Sequence, residues 1–528
     1  MDISSEKAYP TPIANSPLLP LLLLSLATQR NSPRQSSSFK EEYDYIVVGG
    51  GSAGSVVASR LSEEPCVTVL LLEAGAKKPP LLNDVPGLGR FFLGTDIDWQ
   101  FKTVPQKNTG FALVNKQVPW PRGKGLGGSS LLNAMIYIRG NRKDYDNWAA
   151  QGARGWSYKD VFPYFLKLED NRNNEFLMNG DHASGGPVTV ENPGYQSEIE
   201  TPILEAAEQL GYRVVDSNAA RQTVPAENRT NLDIVGGAHV KKVLFDGSRA
   251  IGVQFDYKNS EYLVKARREV IVSAGTINTA QLLMLSGIGP RKHLEKLKIP
   301  VIADLPVGNN LQDHCATFLP FVLNTRPMNE KLTDPRNIKE YINNRTGPLS
   351  SLNFISSISF LGGEAEDFPD YELYFAETTT VIPKEQGGLK PIFYKAIFSP
   401  YENRPMMVCL SQLLHPKSRG TVRLQSTNPY DPPLIDPNYL DDPSDIEAIV
   451  RGLKTCRKIG LSEPMKKLGV KPFATVLPGF TKLIPDLLLD KYFKFLTQLG
   501  VGTVYHPVGT SKMGDPRDPT TVVDPLLR

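Results

Sequence analysis

Cysteine is scarce in this chain: four residues in 528, Cys66, Cys315, Cys409 and Cys456, all far apart. No CxxC pair or zinc-type spacing exists among them, so local spacing builds no metal site, and buried thiols are expected rather than a disulfide. A surplus of one charge is also missing. With 59 basic and 56 acidic residues the net charge is +3, which gives no basic face and no argument for a nucleic-acid partner. Long hydrophobic runs are absent too. The one apolar stretch, residues 17–27 (PLLPLLLLSLA), falls short of the roughly 20 residues that span a bilayer, so no integral membrane span is expected. It can serve as the apolar centre of a secretory signal, although it starts late, contains Pro20 and follows a lead with little positive charge. Together with the polar stretch 29–38 it makes residues 1–40 read as a leader or linker, a possible signal or disordered segment, with extracellular and cytoplasmic locations both open. Sequons at Asn228 and Asn344 would accept glycans in the secretory pathway. There is no internal repeat and no long low-complexity tract.

What is present is a chain long enough for two or three domains and one strongly patterned opening. Residues 42–75, EYDYIVVGGGSAGSVVASRLSEEPCVTVLLLEAG, read as strand (45–48), glycine turn, helix, strand (67–72) and acid, the order of a dinucleotide-binding βαβ unit. In Gly49-x-Gly51-x-x-Gly54 the first glycine permits the turn, the second lets backbone approach a pyrophosphate, and the third lets helix pack on strand. The helix start, through Ser52 and Ala53, offers its free N–H groups to phosphate, and Glu73, followed by Ala74, would accept a hydrogen bond from a ribose hydroxyl. A second glycine loop lies in residues 122–146, RGKGLGGSSLLNAMIYIRGNRKDYD. Its glycines Gly123, Gly125, Gly127 and Gly128 let backbone lie against something flat or anionic, while Ser129, Ser130 and Asn133 add hydrogen-bonding groups.

This second segment resembles the signature of the glucose–methanol–choline (GMC) family of FAD-dependent oxidoreductases. Residues 273–289, SAGTINTAQLLMLSGIG, resemble that family's second signature, with Ala280 where proline is usual. The similarity continues through 304–314 (DLPVGNNLQDH), 415–422 (HPKSRGTV) and 505–513 (YHPVGTSKM), in a manner closest to arthropod glucose-dehydrogenase-like members. It implies FAD as cofactor and assigns to it Arg122, Gly128, Ser129, Asn133, Ala134, Met135 and Ile136 from the second loop. Ser273, Ala274, Gly275 and Tyr505 join them, as does Val240, which falls where members contact the adenine.

The implied fold is α/β: an FAD-binding Rossmann-like domain with a second, α+β substrate domain built on a largely antiparallel sheet. The FAD-binding domain is expected in two stretches, 41–150 and 231–317, separated by a helical segment over 151–230 that borders the substrate domain. The substrate domain follows over 318–496, and a C-terminal segment begins over 497–528. Within this division, the stretch after Asn147 reads as a packed helix pair with core aromatics, and 198–211 as a helix with a glycine stop. Residues 239–245, 250–257, 269–273, 353–361, 371–376, 391–399 and 406–414 read as strands, and 444–459 as a long helix.

Six histidines compete for a chemical role: His182, His239, His293, His314, His415 and His506. His506 sits in a turn punctuated by proline and glycine, which fixes backbone around one imidazole, and imidazole titrates near working pH. In the resembled family this histidine faces the flavin as general base on the substrate hydroxyl, so that hydride passes from the carbinol carbon to flavin N5. His314 and His415 are assigned structural roles. The expected substrate is a small alcohol or sugar, with quinone or oxygen as electron acceptor. Two alternatives stay open: a hydroxynitrile lyase that keeps the flavin without redox, and a catalytically impaired flavin-binding or interaction protein. The second is prompted by departures from the family pattern, an end at Arg528 where members continue, which reads as truncation, and a short segment between Asp216 and Asn231. A nicotinamide enzyme is disfavoured, because it has no need of the 122–146 loop.

Overall fold

The computed structural model describes residues 11–75, 78–178, 180–212, 231–362, 368–380, 386–473 and 486–528. The short 216–231 segment and the Asn228 sequon thus lie outside the described residues, apart from Asn231.

The chain enters through helix α1 (Leu19–Gln29), whose Leu19, Leu22, Leu23 and Leu26 pack against Leu82, Val85, Leu88, Phe92 and Tyr341. The apolar run is therefore part of the folded core, a correction to its reading as leader or linker. Four leucines at helical spacing bury one face, and an 11-residue helix needs such tertiary contact to persist in water.

Strand β1 (Glu42–Val48), helix α2 (Ser52–Leu61) and strand β2 (Val69–Glu73) form the expected unit, with β1 and β2 parallel. From Tyr45 to Val48 in β1 and from Val69 to Leu72 in β2 the run is continuously apolar, as a sheet covered on both faces requires. The chain returns to this sheet in β3 (Leu232–Gly236), β4 (His239–Asp246), β5 (Arg249–Tyr257) and β6 (Ser260–Val272), giving the order β3-β2-β1-β6-β5-β4. β6 is longer than the strand expected over 269–273. Lys258 and Asn259, at φ of 48° and 61°, make a tight hairpin turn, so residues from Ser260 onward pair antiparallel with β5 before 265–272 pair parallel with β1.

Between the two visits to the sheet stand α3 (Arg142–Ala150), α4 (Tyr158–Leu168) and α5 (Glu200–Gln209). The helix pair α3 and α4 has no fully buried residue, and Tyr164 and Trp148 are 70% and 45% exposed. Its aromatics are thus not core, as spacing suggested, but pack on one another, Tyr145 on Trp148 and Phe165 at 5.1 and 5.7 Å. Helix α6 (Gly275–Leu285) then follows β6 directly.

The second sheet is antiparallel throughout. It contains β7 (Cys315–Val322), β8 (Ile355–Leu361), β9 (Tyr371–Thr378), β10 (Met406–Leu413) and β11 (Lys471–Pro472) in the order β8-β9-β10-β7-β11, with β12 (Gly502–Thr503) also on β7. Helix α7 (Pro443–Gly460) covers it. Residues Pro391–Ile397, expected in a strand, form a helix instead: Pro391 occupies its first turn, where a missing N–H costs nothing. Cys409 on β10 and Cys456 on α7 are joined as a disulfide across that packing, with Cα atoms 5.8 Å apart, which corrects the expectation of free thiols. The partners are 47 residues apart, so no local pattern announced them. Cys66 is exposed and Cys315 buried, both free.

The packing of α1 is open to measurement. Leu22→Ala removes a fully buried side chain and is expected to cost about 2–5 kcal/mol, seen as a lower thermal midpoint, whereas Leu24→Ala at an exposed position should stay within about 0.5 kcal/mol. Equal, negligible effects would mean that the helix is not part of the core.

Candidate active site

Two glycine loops meet backbone to backbone at the carboxyl ends of β1 and β2. The Gly127 N–H donates to the Gly50 carbonyl at 2.8 Å, and Gly51 and Gly127 form an isolated parallel bridge. A Cβ on Gly128 would lie 2.7 Å from Gly51 Cα, and one on Gly54 would overlap the Gly49 carbonyl. Gly49, at φ of 101°, faces the Ser273 carbonyl. Gly51 is different: a Cβ there meets only Gly128 Cα at 3.7 Å, so its missing side chain serves access rather than internal packing.

Helix α2 starts at Ser52 with Gly51 as N-cap, without a side-chain cap and without an acidic residue in its first turn. The N–H groups of its first turn, from Ser52, Ala53 and Gly54, and its dipole are left for an anion, which fits the pyrophosphate of FAD. Glu73, at the end of β2 and followed by Ala74, is buried. Its Oε2 accepts the Gly50 N–H and its Oε1 the Gly75 N–H, both at 2.8 Å. Burial raises its pKa against these bonds. A third backbone N–H, that of Gly125, also bonds this carboxylate, which leaves acceptor capacity for a ribose hydroxyl. The Ala238 N–H donates to the Glu73 carbonyl, bringing the start of β4 and Val240 to the same end, beside His239, Tyr430 and Trp99.

Beyond the contact, Ser129 Oγ accepts the Gly123 N–H, and the loop runs through Asn133, Ala134, Met135 and Ile136, with Met135 at φ of 57° and its N–H held by Asn133 Oδ1 at 3.0 Å. Arg122 spans to the other side. Its N–H is held by buried Asp98, and its Nη1 donates to the Tyr505 carbonyl at 2.7 Å. Ser273, Ala274 and Gly275 lead into α6, and Thr276 Oγ1 donates to the Pro507 carbonyl at 2.7 Å. Arg122 and Thr276 thus moor the 505–507 turn from two sides, to the second glycine loop and to the start of α6.

His506 lies at the far end. Residues 312–314 and 503–508 run antiparallel, with Gln312 and Val508 exchanging hydrogen bonds and the Val504 N–H donating to the His314 carbonyl. That ladder places His314 Nδ1 3.1 Å from His506 Nδ1, so His314, given a structural role from sequence, belongs to the site. Behind them Asp313 is buried. Its Oδ1 accepts the His506 N–H at 3.0 Å, its Oδ2 accepts the Tyr439 hydroxyl, and Trp120 Nε1 donates to that hydroxyl at 3.1 Å. Burial pushes Asp313 up to about 7.

Gln412 Nε2 donates to Glu372 Oε2 at 2.7 Å, which fixes the amide, and the same nitrogen faces His314 Nδ1 at 3.0 Å. The His314 ring also bonds the Leu414 carbonyl, which can only accept. The single lone pair of His314 Nδ1 thus faces both the Gln412 amide and His506 Nδ1, which brings the two rings and the amide to one edge. His506 retains an open face, yet crowding by protein, with His314 and Arg122 adding to it, lowers its pKa to about 3. Burial lowers His314 to about 4 and raises Glu372 to about 8.

Sequence reasoning missed Asp313, His314, Gln412, Glu372 and Tyr439. The Asp313–His314 pair lay inside a stretch already noted for its resemblance, and an acid beside a histidine was a readable signal. Gln412 and Glu372 sit mid-strand on β10 and β9, where nothing local marks them. His415 is held by Asp144 at 3.0 Å and stacks on Phe368. Among the described residues no group of three or more histidines, cysteines and carboxylates could hold a metal ion, and no helix is long and apolar enough to cross a membrane.

Two family models, both described as GMC oxidoreductase, match the chain, the N-terminal one over 43–223 and 217–316 and the C-terminal one over 416–528. A glucose dehydrogenase [FAD, quinone] of Drosophila pseudoobscura pseudoobscura is 35% identical over 94% of this chain and 82% of its own length. An alcohol dehydrogenase [acceptor] of Pseudomonas putida is 37% identical over 92% and 88%. Among solved structures, a formate oxidase superposes with a TM-score of 0.78 at 25% identity, covering 93% of this chain and 92% of that one.

The loop contact yields a paired expectation. Gly51→Val should leave the chain folded but place methyl groups where phosphate must sit, so that FAD retained per protein falls at least about tenfold. Gly54→Val should disrupt folding itself. Stoichiometric FAD on folded Gly51→Val would refute the assignment.

Proposed function

Because this chain belongs to the GMC oxidoreductases and is an FAD-dependent enzyme, we propose that it oxidises the CH–OH group of a small alcohol or sugar, with His506 as general base. The observation that supports this most is the setting of His506: an uncharged imidazole held at Nδ1 beside His314, with an open face left for substrate.

The residues divide the work. Asp313 holds the His506 main chain, Arg122 and Thr276 moor the turn around it to the glycine loop and to α6, and His314 orients the ring. When the substrate hydroxyl gives its proton to Nε2, electron density rises on its oxygen and the carbinol C–H is weakened toward loss of hydride. FAD, when bound, would supply the two-electron acceptor for that hydride, with a quinone or oxygen as the terminal acceptor. The alcohol thus loses one hydride and one proton and leaves as a carbonyl compound. A base with a pKa near 3 accepts a proton weakly from an isolated alcohol, so the transfer must be coupled to hydride departure.

Anaerobic addition of an alcohol panel to the purified holoprotein tests the reading, since oxidation bleaches the flavin absorbance. Turnover without bleaching would favour a lyase. His506→Ala is expected to slow bleaching by about 10²–10⁴-fold with the resting flavin spectrum unchanged. The pH profile carries the same sign. A histidine with lowered pKa is deprotonated above that value, so the free enzyme's kcat/KM should not fall between about pH 7 and 5 through this group; a descending acid limb near about 6.5 that His506→Ala abolishes would contradict the neutral imidazole.

A further inference from the structure

Arg90 has a place in the site that the chemistry above does not use. It sits in a 3₁₀ turn (Pro86–Phe92) and is tied to the second glycine loop through one residue: Asn353 Oδ1 accepts the Arg90 N–H at 3.1 Å, and Asn353 Nδ2 donates to the Asn133 carbonyl at 3.2 Å. On its other side lies Tyr505, close enough for its hydroxyl to interact electrostatically with the guanidinium. Arg90 therefore borders the space between the Asn133 segment and the Tyr505–His506 turn.

Its guanidinium is poorly matched by protein. Nη2 donates to the Asn353 carbonyl at 2.7 Å, Nη1 reaches Thr378 Oγ1 only at 3.5 Å, and Nε is shut off from solvent without a partner. No carboxylate among the described residues pairs with it. The acid nearest along β9, Glu377, is engaged by Lys331 at 2.8 Å and by Ser197. Arg90 stays partly exposed while Nε is closed off, so the Nη edge of its planar fork is what a ligand could meet, and that edge suits an oxyanion better than a hydroxyl.

We propose that Arg90 is a specificity residue: the alcohol presented to His506 also carries an anionic group, a carboxylate or a phosphate, that docks on this guanidinium. The inference rests on the reading of the His506 site as alcohol-oxidising and narrows its substrate class to anionic alcohols.

Matched substrate pairs on the holoenzyme test it: D-glucuronate against D-glucose for a carboxylate, and glycerol 3-phosphate against glycerol for a phosphate. Wild type should favour the anionic member of at least one pair, the pair identifying the group. Arg90→Gln should cut kcat/KM for that member by roughly 10- to 100-fold while leaving its neutral counterpart within about threefold, and Arg90→Lys should restore part of the loss. A retained flavin spectrum in each variant shows that it has folded. Binding is measured separately, from the flavin spectral shift on titrating D-glucuronate or glycerol 3-phosphate into wild type and Arg90→Gln. A shift weakened by Arg90→Gln supports the anion site even if no alcohol is turned over, an outcome that would instead sink the oxidase reading. Equal handling of both members by wild type, or an equal loss on both in Arg90→Gln as expected if the residue serves the flavin, overturns the proposal. So does an anion-induced shift of the same affinity in both proteins.

Discussion

The close approach of two glycine loops is the constraint on which the rest of the molecule turns. Where Gly50 and Gly51 meet Gly127 and Gly128, backbone packs on backbone, and a Cβ on Gly128 would lie 2.7 Å from Gly51 Cα. Such contact is available only to glycine, which gives up the most chain freedom on folding, so the arrangement is stabilised from outside: by β1 and β2 beneath it, by Glu73 accepting two N–H groups, and by Ser273 behind Gly49. Once the loops are locked, two things follow. The first turn of α2 opens beside Gly51, where an added Cβ meets only Gly128 Cα at 3.7 Å, and the chain leaving the second loop carries Asn133 to Asn353 beside the other sheet.

From there the site is held by long-range hydrogen bonds. Arg122 grips the Tyr505 carbonyl across 383 positions of sequence, and Asp313 grips the His506 N–H across 193. Asp313 makes this bond from a buried position, shared with Tyr439, and burial makes its ionisation costly. A carboxylate in that setting tolerates little movement of its donors, which is how it fixes a turn that has no secondary structure of its own. The His314–His506 pair then needs no further support than the ladder between 312–314 and 503–508.

The features legible in the sequence were those written in local pattern. The βαβ unit, the second glycine loop and the second signature all consist of residues whose spacing determines their geometry, and the structure brings them together. β9 and β10 were equally readable, as strands over 371–376 and 406–414. What escaped was non-local or locally ambiguous. Cys409 and Cys456 meet only because α7 lies on β10. The apolar face of α1 looked like an export signal because a short apolar run is compatible with either use, and only Leu82, Val85 and Phe92 decide between them. Residues Pro391–Ile397 carry the β-favouring Ile392, Phe393 and Tyr394, and a proline at the first turn settled them as helix. His314 was passed over because a histidine is structural by default, and its partner lies 192 residues away.

The charge inventory around His506 gives the pocket its electrical character. His506 and His314 are both neutral at pH 7, since burial lowers each well below its ordinary value, and Glu372 is predominantly protonated because burial raises it to about 8. Arg122 is balanced by Asp98 and Asp313. On the reading of His506 as base, an imidazole held near pKa 3 takes up a proton only together with hydride departure from the same substrate, so the surroundings of His506 tie the two transfers to one step.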